Sequence, residues 1–274
     1  MPSSHPVLCG SIAGRPGRFG VAMHNAAYQA MGLDFVYVAF GTEDTAAAVA
    51  AMRALGIRGL GVTMPHKQRI MAYLDRIDQT ARAIGAVNTV VNDDGVLTGY
   101  NVDWVGAVRA FREKTDLSGK AAAVIGAGGG ARAIVYGLVD AGARVTVFNR
   151  TASLGAALAA SLGVTYAGPP DVLPAAGPFD LIAHATPVGL GGGDDTLVPE
   201  AALMPGTVVF DAVPVPVETA LLRAAEARGC LTIPGVRMQL HQAAYQFALY
   251  TGREPDLTVM ESALQAALRR DSRP

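Results

Sequence analysis

Only two cysteines, Cys9 and Cys230, occur in the 274 residues, and they form no CxxC pair. That scarcity excludes a disulfide-stapled scaffold and fits two buried thiols in a reducing compartment, the cytoplasm. The five histidines show no ligand spacing, so no structural or catalytic metal is expected. Charge is sparse as well. Charged residues make up 16%, the net charge is −1, and no long basic run occurs, which argues against nucleic acid as the main partner. A hydrophobic content of 51% leaves no room for extensive disorder. No stretch approaches the roughly 20 apolar residues that span a bilayer, so no membrane partner is expected. Met1 to Pro6 lacks both the charged lead and the apolar core of a secretory leader.

What is present is size enough for two domains and a substantial core. The second of them is announced by Ala121 to Thr151. Ala121 to Ile125 is a short apolar run with no helical stripe, as in a strand buried on both faces. Gly126-Ala127-Gly128-Gly129-Gly130-Ala131 follows, a turn without bulky side chains that lets backbone N–H groups approach a ligand. Ile134, Val135, Leu138 and Val139 then share a helical face up to Gly142, and Val145 to Phe148 forms a second strand. A glycine turn opening a helix puts unsatisfied donors and the positive dipole end where a pyrophosphate sits. The second strand ends in Asn149-Arg150-Thr151, with no acid to hold a ribose 2′-hydroxyl. An arginine suits a 2′-phosphate, so NADP is favoured over NAD.

The chain ahead of this unit alternates strands and helices, an α/β domain in its own right. Strands are expected at Val7–Ile12, Phe35–Phe40 and Leu60–Met64, with helices from Val21 to Gly32 and over Ala46–Leu55. Pro65-His66-Lys67 is read as the start of one helix carrying Ile70, Leu74, Ile77, Ala81 and Ile84 on a face. Val87–Val91 and Val96–Tyr100 form a hairpin about Asn92–Gly95. Asn101-Val102-Asp103-Trp104 leads into a helix bearing Val105, Val108 and Phe111, the expected joint between domains. Further strands fall at Val164–Tyr166, Leu181–Ala185, Val208–Ala212 and Leu231–Ile233, with the glycine-rich loop Gly189–Asp195 between two of them, either a lid or a plain solvent loop. After Gly235 the pattern is wholly helical and is expected to return to the first domain. The division is thus 1–103, 104–235 and 236–274: an α/β substrate domain, a Rossmann-like dinucleotide-binding domain and returning C-terminal helices.

Lys67 is the first candidate for chemistry, because partial burial and a helix start would lower its pKa toward that of a working base. A solvated first-turn lysine is the plain alternative. Asp103 is the second, with an ordinary helix cap as its alternative. Asn88 and Asn101 stand in or beside strands, where an amide serves either the backbone or a ligand hydroxyl; Gln242 lies on a returning helix or simply on the surface. Strand ends of the first domain and the glycine turn of the second would face one cleft. A polyhydroxy acid held there could lose a hydroxyl proton to a base as its carbon gives hydride to a nicotinamide.

The motifs Val62-Thr63-Met64-Pro65-His66-Lys67, Gly85-Ala86-Val87-Asn88-Thr89 and Tyr100-Asn101-Val102-Asp103 resemble those of the shikimate dehydrogenase family's substrate domain. Gly126 to Ala131, Asn149-Arg150-Thr151, Ala185-Thr186-Pro187-Val188-Gly189 and Gly235 to Gln242 continue the resemblance in order, over nearly the whole chain. It implies reversible oxidation of the shikimate 3-hydroxyl with NADP, a step of aromatic amino acid biosynthesis, by a monomer or homodimer. Lys67 is then the proton acceptor and Asp103 its partner, with Thr63, Asn88, Asn101 and Gln242 near substrate. The glycine turn (Gly126, Gly128, Gly129, Gly130, Ala131), Asn149, Arg150, Thr151, Thr186, Val213 and Gly235 are implied to hold the dinucleotide.

The departures matter equally. Where the family has Ser-x-Ser-Pro before His-Asn, holding the substrate carboxylate, this chain has Arg18-Phe19-Gly20-Val21 before His24-Asn25. Pro214 stands for a tyrosine, His184 for an asparagine, and Leu154 for a second arginine. These features look like the divergent shikimate dehydrogenase-like branch. They lead to the expectation that Arg15 or Arg18 pairs with the carboxylate, a solvated loop arginine being the alternative. Quinate or aminoshikimate is the nearest rival substrate. A methylene-folate dehydrogenase is disfavoured by the order of motifs, and a non-catalytic metabolite and dinucleotide sensor by the intact Lys67 and Asp103.

Overall fold

The computed structural model describes residues 5–271; the amino-terminal stretch read above for a leader lies, through Ser4, outside the described residues. In chain order the first elements are β1 (Val7–Ala13), α1 (Phe19–Ala30), β2 (Phe35–Gly41), α2 (Thr45–Ala54) and β3 (Gly59–Val62). They are followed by β4 (Arg76–Ile77), α3 (Gln79–Ile84), β5 (Thr89–Asp93), β6 (Val96–Tyr100) and α4 (Asp103–Arg112). Next come β7 (Ala121–Ile125), α5 (Gly129–Asp140), β8 (Arg144–Phe148), α6 (Ala152–Leu162), β9 (Thr165–Gly168) and β10 (Leu181–His184). The chain closes with β11 (Val208–Asp211), α7 (Ala220–Ala227), β12 (Leu231–Pro234), α8 (Gly235–Thr251) and α9 (Leu257–Asp271).

These elements divide into two compact units, one of residues up to Val102 with those from Leu240 onward, the other of Asp103–Gln239. The sheet of the first unit runs β2-β1-β3-β5-β6-β4. It is mixed: β1 pairs in parallel with β2 and β3, while β5 is antiparallel to both β3 and β6. Its core gathers Ile12, Val49, Met52, Leu60, Val62, Ile70, Val90 and Leu97. The returning helix α9 packs on α1 within this unit.

The second unit has six parallel strands in the order β12-β11-β10-β7-β8-β9, so the chain reverses its winding between β7 and β10. Both sheet faces are covered. Ile134, Leu138, Phe111 and Val124 belong to one core, and Ile125, Phe148, Ile182 and Leu221 to the other. That double burial explains why Leu181–Ala183 of β10 and Val208–Phe210 of β11 read as unbroken apolar runs. The helices α6 and α7 escaped the sequence reading. In α6 the run Ala-Ser-Leu-Gly-Ala-Ala-Leu-Ala-Ala-Ser-Leu has almost no strongly polar face to set off an apolar stripe.

One expectation is overturned. The continuous helix read from Pro65 to Ile84 is instead a turn, a 3₁₀ segment at Arg69–Tyr73, the short strand β4 and the six-residue α3. Two aspartates break it. Asp75 accepts the Leu97 N–H on its carboxylate at 2.7 Å and donates its own N–H to the Leu97 carbonyl at 3.1 Å, which ties the segment to β6. Asp78 gives its N–H to Gly99 and then caps α3 through the Thr80 N–H at 2.9 Å. The apolar spacing of four and three serves three separate elements packed on one core. Lys67 therefore lies in a turn, two residues ahead of the short 3₁₀ segment, and not in the first turn of the α-helix expected there.

Candidate active site

In the second unit, hydrogen-bonded register aligns the ends of five strands: Phe148, Ile125, His184, Asp211 and Pro234 stand side by side. The residues that follow each end, namely Asn149, Gly126, Ala185, Ala212 and Gly235, line one carboxyl edge at the point where the winding reverses. That is where open α/β sheets hold ligands. The structure thus brings Gly126, Asn149, Thr186, Val213 and Gly235 to one edge.

The glycines there have different reasons. Gly126 sits at φ +123°, and a Cβ on it would lie 2.8 Å from the Ala185 carbonyl oxygen. Gly235 opens α8 so close to β11 that a Cβ would meet the Ala212 carbonyl at 2.7 Å. Gly128 and Gly130 are the opposite case, with nothing within 4 Å of the Cβ they lack. Gly128 caps α5 without a side-chain hydrogen bond, and the first backbone bond back to it comes from the Arg132 N–H. The helix start therefore presents backbone donors beside space that two methyl groups would fill, a cradle that fits a pyrophosphate. Ala131 is wholly buried behind it. Asn149 is half-buried, fixed by its amide on the Thr151 carbonyl at 2.8 Å, and Arg150 is exposed beside it. An open cationic end with no carboxylate fits the 2′-phosphate of NADP.

Behind this edge lies a buried network. His184 Nδ1 stands 2.9 Å from Asp211 Oδ1, and its Nε2 stands 2.6 Å from the Thr186 hydroxyl. Asp211 also accepts the Thr219 hydroxyl at 2.6 Å and the Val213 N–H at 3.0 Å. His184 thus ties the two strand-end loops carrying Thr186 and Val213.

In the first unit the substrate candidates sit on three adjoining segments. The turn from Thr63 to Lys67 is held by the Thr63 N–H on Ile12 at 3.1 Å and the His66 N–H on Thr63 at 2.8 Å. His66 is fully buried; its Nε2 donates to the Thr42 carbonyl at 2.8 Å and its Nδ1 meets the Thr45 hydroxyl at 2.8 Å. The imidazole so anchors the turn that carries the half-buried Lys67. The Val87 N–H donates to the Lys67 carbonyl at 2.8 Å, which sets Lys67 beside Asn88 in the chain fold. Asn101 donates its amide to the Ala86 carbonyl at 2.9 Å, and the Val102 N–H donates to Asn88 Oδ1 at 2.8 Å. Lys67, Asn88 and Asn101 are thereby collected at one end of the sheet, with both asparagines buried.

Arg15 and Arg18 are exposed on the loop after β1, which is tied to the same turn by the Gly14 N–H on the Met64 carbonyl at 3.1 Å. Thr63 is exposed on that turn, and Gln242 is half-buried on α8. Asp103 belongs to the second unit, where it opens α4 at 2% exposure. Beneath the first unit's sheet, His24 is wholly buried and stacked on Tyr37 at 4.2 Å; burial pushes its imidazole down to about 3. Among the described residues no group of three His, Cys, Asp or Glu side chains could hold a metal, and no helix is long and apolar enough to cross a membrane.

Two features of the site went unread in sequence. Gln246 reaches Thr89 at 2.9 Å behind Asn88; its only signal was the spacing of four from Gln242, which places both on one face of a helix. The His184–Asp211 pairing joins residues 27 apart, which no local pattern reveals.

A parallel sheet with an open glycine cradle at its reversal point defines a dinucleotide-binding α/β protein, here joined to a unit carrying a lysine and two buried amides. A model of the shikimate dehydrogenase substrate binding domain matches residues 19–90, one of shikimate / quinate 5-dehydrogenase matches 109–187, and one of the shikimate 5′-dehydrogenase C-terminal domain matches 235–265. The shikimate dehydrogenase (NADP(+)) of Methanothermobacter thermautotrophicus is 40% identical over 260 residues, covering 91% of this chain and 92% of its own. A shikimate dehydrogenase-like protein of Haemophilus influenzae is 40% identical over 262 residues, 93% of this chain and 95% of that one. Shikimate 5-dehydrogenase from Thermus thermophilus, solved with NADP(H) and shikimate, superposes with a TM-score of 0.88 at 33% identity, covering 96% of this chain and 100% of that one. The chain belongs to the shikimate dehydrogenase family of oxidoreductases.

Proposed function

We propose that this chain is an NADP-dependent dehydrogenase that reversibly oxidises the 3-hydroxyl of shikimate, or of a close analogue, in the cytoplasm. The observation that carries the reading is the collection of Lys67, Asn88 and Asn101 at one end of the first unit's sheet, on a chain that keeps the dinucleotide cradle. The bound nicotinamide supplies the hydride acceptor. Lys67, as a neutral amine, takes the hydroxyl proton while the carbon gives up its hydrogen with the electron pair, leaving a ketone. Asp103 is the anion that orients the amine and stabilises it once protonated. Asn88, Asn101, Thr63 and Gln242 hold the ring hydroxyls, and Arg15 or Arg18 takes the carboxylate. Gly126, Gly128, Gly129, Gly130 and Ala131 receive the pyrophosphate, Asn149, Arg150 and Thr151 the adenosine end, and Thr186, Val213 and Gly235 the nicotinamide half.

Quinate or aminoshikimate remains the second reading, favoured by one observation: the loop that would meet the carboxylate has Arg18 and Gly20 at the two serine positions, with Arg15 exposed just ahead of them. The deciding experiment follows NADPH and NADH formation with shikimate, quinate and aminoshikimate across pH. The expected result is fastest turnover with shikimate and NADP, rising with pH through one ionisation as the base loses its proton. Absence of nicotinamide reduction with all three acids overturns the reading and leaves the sensor.

A further inference from the structure

Behind Asn88 the first unit carries a buried chain of hydrogen bonds whose direction is fixed at both ends. Gln246, 4% exposed, places its Nε2 2.9 Å from Thr89 Oγ1 and 3.3 Å from the Asn88 backbone carbonyl. A carbonyl only accepts, so the Gln246 atom facing it must be the amide nitrogen. Thr89, wholly buried, donates its hydroxyl to Asn88 Oδ1 at 2.9 Å. The Val102 N–H donates to the same oxygen at 2.8 Å; a backbone N–H only donates, so that atom of Asn88 must be its oxygen.

A threonine hydroxyl can give or take a hydrogen bond. Here the Gln246 N–H occupies an oxygen lone pair of Thr89 and commits its proton to Asn88. Both lone pairs of Asn88 Oδ1 are then used, and what the side chain can offer a ligand is its NH2. We infer that Gln246 is a positioning residue: acting through Thr89, it locks the orientation that the Val102 N–H imposes on Asn88, with the amide NH2 turned toward the substrate. The inference rests on the reading of Asn88 as a substrate contact. It deepens that reading by specifying the ligand atom opposite Asn88 as an acceptor, a hydroxyl or carbonyl oxygen and not an ammonium. A misdirected amide in a dry site is costly, so orientation set in advance lowers the cost of binding.

The test is a double-mutant cycle with Gln246→Met, which keeps the length without the donor, and Thr89→Val, which keeps the shape without the hydroxyl. Each variant is expected to raise the KM for shikimate about fivefold, the scale of one neutral hydrogen bond, without moving the KM for NADP. In the Thr89→Val background, Gln246→Met is expected to add nothing, and Thr89→Ser is expected to restore the wild-type value. A second measurement needs no substrate: the side-chain 15N–1H2 resonances of Asn88, assigned by their loss in Asn88→Asp. Gln246→Met should shift them and speed their exchange. An unmoved Asn88 resonance in Gln246→Met overturns the inference, as do KM effects that multiply in the double variant. Wild-type protein inactive on shikimate defeats the functional reading alone, and the resonance then decides the role of Gln246.

Discussion

The His184 imidazole gives its Nδ1–H to Asp211 across 2.9 Å, and each side chain is at most 2% exposed. The pair joins the ends of two adjacent strands of the second unit, and its outer nitrogen reaches Thr186 in the loop beyond β10. Removing the ring leaves a buried carboxylate that keeps only the Thr219 hydroxyl and the Val213 N–H. His184→Ala is expected to cost roughly 3 kcal/mol in urea denaturation, the low end for breaking a buried pair because two donors remain. His184→Asn, which keeps an N–H donor, should recover part of that loss. Equal stability of His184→Ala and wild type would show the pair to be dispensable.

Loss of the proposed base should separate chemistry from binding. Lys67→Met is expected to lower kcat about a thousandfold while the KM for shikimate changes little. Asp103→Asn should lower kcat by a smaller factor and move the rise of kcat with pH. A Lys67→Met enzyme with normal kcat contradicts the assignment.

The arginine loop is tested by KM. At least one of Arg15→Ala and Arg18→Ala is expected to raise the KM for shikimate about tenfold, as the loss of a charge-assisted bond would. Both side chains are exposed, so added salt should raise the wild-type KM in the same direction. If neither variant alters KM, another group holds the carboxylate.

Gly130 and Gly126 should fail in different ways. Gly130→Ala meets open space on the first turn of α5, so its melting temperature should hold or rise while the KM for NADP increases by about tenfold or more. Gly126→Ala forces a Cβ onto a backbone at φ +123° and against the Ala185 carbonyl, so it should lose stability first. A Gly130→Ala protein with ordinary NADP affinity would refute the cradle.

Acid stability follows from His24. Burial lowers its folded pKa from 6.5 to about 3, so between those values the unfolded chain takes a proton that the folded chain refuses. Stability should be flat above that window and fall as pH drops through it, on the order of 1.4 kcal/mol per pH unit at the steepest. His24→Phe keeps a ring against Tyr37 and should flatten the slope between pH 6.5 and 3, as read by denaturation at a series of pH values. An unchanged slope assigns the acid loss to other groups.

The second unit was open to sequence reading because its signals are local. Ala121–Ile125, the glycine turn and Val145–Phe148 each announce themselves within a few residues, and all stand where expected. The segment from Pro65 to Ile84 misled for an equally physical reason: its apolar residues keep helical spacing, but Asp75 and Asp78 find backbone partners on β6, a pairing set by tertiary structure. The same holds for Gln246, which reaches Asn88 and Thr89 across more than 150 positions of sequence. Motif order could point to Asn88; only the folded chain reveals which face of its amide is spoken for.

The first unit is assembled from both sides of an uninterrupted second one, Asp103–Gln239, and its α1 is covered by α9. During synthesis the inserted unit is therefore complete in sequence while its host still lacks the residues from Leu240 onward, α9 among them. Until then α1 has no cover, and Thr89 and Asn88 lack Gln246, so a chain extended only to Gln239 carries every residue of the second unit and an unfinished first one.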